Sequence, residues 1–135
     1  MATVRRFEDL NSWKSARKMT NVIYDVSADG PFTRDLDLRR QIRRAAGSAM
    51  HNIAEGFDAG SDAEFKRFLR MARRSASEVQ SQLYLALDRH YITAEQHHTA
   101  YQLTTEVKRL INGLIGYLNK NPQLPKKQPT DKRTD

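Results

Sequence analysis

Phe57-Asp58-Ala59-Gly60-Ser61-Asp62-Ala63-Glu64-Phe65 is the stretch on which the reading of the fold turns. Asp58-Ala59-Gly60 interrupts two long segments whose apolar residues recur every three or four positions, the period of an amphipathic helix. Ser61-Asp62-Ala63-Glu64 then has the form of a capping box: the Ser61 hydroxyl takes the Glu64 amide and the Glu64 carboxylate takes the Ser61 amide. Upstream, the spacing predicts a helix over about 35–57 with Leu38, Ile42, Ala45, Ala49 and Ile53 on one face. Downstream it predicts a helix over 62–90 carrying Phe65, Phe68, Leu69, Ala72, Ala76, Val79, Leu83 and Leu87. So short a turn between helices of similar length makes them antiparallel neighbours.

The pattern continues on both sides. Thr93-Ala94-Glu95-Gln96 is a second capping box and opens a helix over 94–119, with Leu103, Val107, Leu110, Leu114 and Leu118 widened by Ile111 and Ile115. Trp13, Ala16, Met19, Ile23 and Val26 mark a first helix over 11–27, stopped by Ala28-Asp29-Gly30-Pro31. Proline occurs only at positions 31, 122, 125 and 129, so nothing breaks the long segments between. The fold expected is all-α, an antiparallel up-down-up-down four-helix bundle over 1–120, with a disordered basic tail over 121–135.

Composition narrows the function. With no cysteine, disulfides, thiolate catalysis and cysteine-based zinc sites are excluded. No run of about 18 apolar residues exists to span a membrane, and the basic N-terminus lacks the apolar segment of a secretion signal. A cytoplasmic bacterial protein is the plain expectation. Lys and Arg number 23 against 16 Asp and Glu, giving +7 and a pI near 9.9, a balance that favours polyanionic partners.

Much of that charge lies in Arg39, Arg40, Arg43, Arg44, Lys66, Arg67, Arg70, Arg73 and Arg74, and neither Arg39–Arg44 nor Lys66–Arg74 contains an acidic residue. At 100° per residue these side chains fall away from the apolar stripes. A minimal turn sets Arg44 level with Ser75, so Arg40, Arg43, Arg44, Arg73 and Arg74 are expected to meet as one patch. They form either an ordinary solvated face or a phosphate-binding surface, since guanidinium matches phosphate geometry in bidentate fashion. Aromatic residues are poorly interleaved there, which argues against stacked single-stranded recognition. No base-reading helix is apparent, so phosphate binding of that kind is backbone-driven and salt-sensitive. Beside the core runs a polar stripe of Gln41, Ser48, Asn52 and Glu55, matched by Ser75 and Glu78 on the third helix. Such residues either form a hydrogen-bond network that fixes register or a subunit contact, or line a small polar site between subunits.

Gln41-Ile42-Arg43-Arg44-Ala45-Ala46, Ser48 and Asn52-Ile53-Ala54-Glu55-Gly56-Phe57 resemble the signature of the four-helix-bundle proteins encoded in 23S rRNA intervening sequences. Phe7-Glu8-Asp9-Leu10 with Trp13 and Ala16, and Phe65-x-x-Phe68-Leu69-x-x-Ala72-x-x-Ser75 with Glu78, are similar to the same family's first and third helices. The resemblance covers residues 7 to about 118. It departs at Gly47 and Ala49-Met50-His51, where relatives usually carry β-branched or small residues. It implies a bundle assembling as a ring, typically a homopentamer, with a positively charged surface. Relatives include the accessory variability proteins of diversity-generating retroelements, so a reverse transcriptase and RNA or DNA are the partners it implies.

Hints of assembly come from the residues too. The apolar arc of the fourth helix is wider than one core needs, and Gly113 and Gly116 either allow close helix approach or mark fraying near the C-terminal end. No catalytic constellation is visible. Glu95-x-x-His98 has di-iron spacing, but such sites need two of these motifs with inward carboxylates from the other helices. Ser48, Ser75 and His51 lack partners for nucleophilic catalysis, and no phosphate loop or dinucleotide fingerprint occurs. The expectation is a non-enzymatic, cofactor-free oligomer that binds nucleic acid through its arginines; the alternative is a protein-interaction ring.

Overall fold

The computed structural model describes residues 4–122. Four helices follow in order: α1 Asn11–Val26, α2 Leu36–Phe57, α3 Asp62–Asp88 and α4 Ala94–Lys120. Short 3-10 turns, Phe7–Asp9 and Gly30–Arg34, precede α1 and α2. The residues of the expected tail from 123 onward lie outside the described part. Among the described residues there is no strand, and no helix is long and apolar enough to cross a membrane.

The helices pack as a four-membered bundle, each against its two neighbours, with α4 closing on α1. Contacts between sequence neighbours run in opposite directions. Thr20 meets Ala46 while Ser27 meets Arg39, and Arg73 meets Asn112 while Lys66 meets Asn119. The axis is filled by Met19, Ile23, Ile42, Ile53, Phe65, Leu69, Val79, Leu83, Val107 and Ile111, all fully buried. Each such side chain contributes about 1.5–3 kcal/mol on leaving water.

Most of the apolar stripes read from the sequence face this core, but α4 is rotated from the expected seam. Its buried edge is Ala100, Thr104, Val107, Ile111, Leu114 and Leu118, which leaves Leu103, Leu110 and Ile115 half-buried. Thr104 escapes a sequence reading for apolar residues, yet it is fully buried because its hydroxyl donates to the Ala100 carbonyl at 2.8 Å.

The two caps differ from one another. At Thr93 the box is complete: Gln96 N–H donates to Thr93 Oγ1 at 3.0 Å, and Thr93 N–H donates to Gln96 Oε1 at 2.9 Å. At Ser61 only half forms. Ser61 Oγ accepts from the Glu64 amide at 3.3 Å, but the Glu64 carboxylate turns to Arg67 at 2.9 Å instead of returning to Ser61. A bidentate charged partner one turn along outcompetes a neutral amide. The opposite end of α3 closes without glycine. His90 sits at φ 63°, its N–H reaches Leu87 O at 3.0 Å and that of Tyr91 reaches Ala86 O at 2.9 Å, the paired bonds of a Schellman ending.

The α2–α3 seam holds two further features. Ser48, not Arg44, meets Ser75, with the two Oγ atoms 3.0 Å apart. That moves the register one helical turn from the minimal-turn expectation. Close to the turn, Gly56 lies so near α3 that an added Cβ would sit 2.7 Å from Phe68 Cβ. Gly47, by contrast, has only the tip of His51 within 4 Å.

Candidate nucleic-acid interface

The nine cations singled out in the sequence separate into groups according to which neighbour each side chain can reach. Arg39 and Arg43 turn towards α1. Arg39 Nε donates to the Ser27 carbonyl at 3.0 Å, Arg43 Nε to Ser27 Oγ at 2.8 Å, and an Arg43 Nη to the Tyr24 carbonyl at 3.1 Å. The Arg43 guanidinium also lies over the Tyr24 ring, 4.4 Å from its centroid. These are the last carbonyls of α1, which need donors and favour positive charge. Arg67 is held by Glu64 and stacked on Phe68 at 4.7 Å. The hydrogen bond from Arg67 holds the Glu64 carboxyl below its ordinary range, and Arg109 does the same for Glu106.

The remaining cations are not neutralised. Arg40 and Arg44 stand exposed on α2 without a hydrogen bond or ion pair among the described residues. Arg70 and Arg74 are likewise exposed and unpaired on α3. Lys66 and Arg73 cross from α3 to α4, and their acceptors are amides: Lys66 Nζ reaches Asn119 Oδ1 at 2.9 Å, and an Arg73 Nη reaches Asn112 Oδ1 at 2.6 Å. From α4, Lys108 Nζ reaches back to Gln80 Oε1 at 3.1 Å. An amide oxygen positions a cation without cancelling its charge. Arg70, Arg73, Arg74, Ser77 and Lys108 line one hollow of about 370 Å³ between α3 and α4.

The expected single patch therefore does not assemble. Arg43 reaches α1, Arg73 reaches α4, and Arg44 and Arg74 line different hollows. In its place, Lys66, Arg70, Arg73, Arg74 and Lys108 form a basic groove between α3 and α4. Lys108 is not legible as part of this set in the sequence because it lies on another helix, beside Arg109 and Glu106; only the antiparallel pairing with α3 brings it to the arginines. Carboxylates stay out of this groove. Between Lys66 and Tyr84 the one acidic residue of α3 is Glu78, which lines a hollow on the α2 side. Between Tyr101 and Asn119 the one acidic residue of α4 is Glu106, paired with Arg109 at 2.6 Å.

The polar stripe is mostly a network across the α2–α3 seam. Asn52 Nδ2 donates to Ser48 O at 2.8 Å and Ser48 Oγ at 3.0 Å, and Ser48 is bonded to Ser75. Gln41 bonds to Asp37 at 2.9 Å, and Glu78 accepts from Gln82 at 3.4 Å. Asp37, Gln41, Arg44, Ser48, Ser75 and Glu78 border a hollow of about 410 Å³. Glu55 is exposed and takes no part.

These features define a small four-helix-bundle protein with a run of cations, free of carboxylate partners among the described residues, along one helix pair. The chain belongs to the 23S rRNA-intervening sequence protein family, whose sequence model matches residues 8–113. It is also similar to a crystal structure of a protein of unknown function from the S23 ribosomal protein family of Bacteroides thetaiotaomicron VPI-5482. The two share 28% identity over 78% of this chain and 91% of the other, with a TM-score of 0.66. Among curated proteins no match is found.

Proposed function

We propose that this protein is a non-enzymatic homo-oligomer that binds nucleic acid through its phosphates, without strong sequence specificity. The observation that carries the reading is the way the α3/α4 cations are held. Lys66, Arg73 and Lys108 are positioned by Asn119, Asn112 and Gln80, so each is ordered while keeping its full charge. A merely solvated face does not need cations braced between two helices. Pre-ordered donors lose less freedom on meeting a phosphate, which favours binding. A ring, pentameric as the resemblance implies, would repeat the groove around its axis and raise avidity for a long polyanion.

The test is the salt dependence of binding to RNA and DNA of mixed sequence. Affinity should fall steeply with salt, and replacing Arg70, Arg73 and Lys108 with Gln should reduce the slope by about 1 per cation lost. A flat slope, or a slope indifferent to those substitutions, would refute the reading and favour a protein-interaction ring instead.

A further inference from the structure

The basic groove ends in an aromatic cluster. Tyr84 on α3 meets His97 and Tyr101 on α4, with ring centroids 4.8 and 5.6 Å away, and His97 and Tyr101 are 5.6 Å apart. Tyr84 is half exposed, so part of its ring surface is open to solvent. Antiparallel pairing sets the sequence of groups along the groove. From Tyr84 and Tyr101 it passes Gln80 with Thr105, then Ser77 beside Lys108, Arg73 with Asn112, Arg70, and finally Lys66 with Asn119. At about 1.5 Å per residue, Arg73, Arg70 and Lys66 lie about 16, 21 and 27 Å from Tyr84. Lys108 comes before them, at the level of Gln80 to Ser77.

We propose that the α3/α4 groove is a track for a single-stranded polynucleotide, in which Tyr84, backed by His97 and Tyr101, stacks a base while Lys108, Arg73, Arg70 and Lys66 follow the phosphates. This rests on the nucleic-acid reading above and names its substrate class. A duplex keeps its bases stacked on one another and presents phosphates on a convex surface. A single strand leaves its bases open to a ring and bends into a concave channel. The order of the groups matches one strand: an aromatic surface at one end, then Lys108, and then three cations on α3 at intervals of about 4.5–6 Å, on a line without carboxylates. Stacking is tolerant of base identity and needs only a π-face, so no base-reading side chains are required.

The test compares a labelled homopyrimidine oligonucleotide, in ribose and deoxyribose forms, with a duplex and with an abasic strand of equal length. For the intact protein, the oligonucleotide should bind more tightly than either control. Tyr84→Ala should weaken oligonucleotide binding about 5- to 100-fold and leave abasic-strand and duplex binding unchanged, while Tyr84→Phe retains it. Circular dichroism should show the helices intact, since a half-exposed ring is removed. Equal binding of abasic and base-bearing strands with Tyr84→Ala silent, or preference for the duplex, would overturn the stacking proposal while leaving phosphate binding in place. Loss of salt dependence in every arm would instead remove the underlying reading.

Discussion

Two glycines on α2 show how differently the same residue is used. Gly56 faces α3 where a methyl group would meet the Cβ of Phe68 at 2.7 Å and the ring of Phe65 at 3.0 Å, so the helices must separate to admit it. Gly47 has space, and its nearest neighbour within 4 Å is the movable end of His51. Gly56→Ala should therefore lower stability by roughly 1–3 kcal/mol, towards the smaller figure because alanine's helix preference offsets part of the strain. Gly47→Ala should raise stability by about 0.5–1 kcal/mol. Chemical denaturation of both variants measures the contrast, and equal signs would mean the seam relaxes more than its geometry implies. The sequence showed that α2 tolerates two glycines but not which one is packed, because contact depends on a partner helix. His90 was illegible for the same reason. Its left-handed backbone is held by Tyr91, whose ring packs 5.3 Å from Phe32 and whose hydroxyl donates to Asp35 at 3.0 Å.

Between elements, the arginines divide into those that finish a neighbouring helix and those left without a carboxylate partner among the described residues. Periodicity placed Arg39, Arg43, Arg70 and Arg73 off the core correctly. It did not show which neighbour each would reach, because a long guanidinium side chain spans the distance to whichever helix offers an acceptor. The carbonyls of Tyr24 and Ser27 at the end of α1 claim Arg43 and Arg39, while Asn112 claims Arg73. These uses separate by experiment. Arg43→Met keeps the apolar stem and removes the donors, and should cost about 1–2 kcal/mol of stability through the uncapped end of α1. It should leave polyanion affinity nearly unchanged. Arg70→Gln should do the reverse, weakening polyanion binding with stability within about 0.5 kcal/mol of the parent. Thermal unfolding and salt-resolved binding on both variants decide the matter; if Arg43→Met also abolished binding, the α1 side would belong to the interface.

For the whole molecule, the outer face formed by α1 and α4 is where the proposed oligomer would seat a second copy. Leu110 is half-buried and Leu114 nearly buried, and with Val4, Leu10 and Tyr117 they border a hollow of about 400 Å³. Ser12 lines the same hollow, 3% exposed, and its hydroxyl has no partner among the described residues. A buried hydroxyl without a bond is unfavourable by about 1–3 kcal/mol. Gly113 sits on this hollow and Gly116 further along α4, and an added Cβ would meet nothing within 4 Å at either. Among the described residues, then, nothing uses the close approach these glycines permit. In the proposed oligomer another copy would use that approach, together with the wide apolar arc of α4. This face and the basic groove lie on opposite sides of α4, so assembly through one leaves the other open to a ligand. Light scattering should find the intact protein oligomeric. Gly113→Arg, which places a long charged side chain over the hollow, should yield a monomer with unchanged helical content and reduced avidity for long polynucleotides. A monomeric parent, or a Gly113→Arg variant that still assembles, would place the subunit contact elsewhere or remove it.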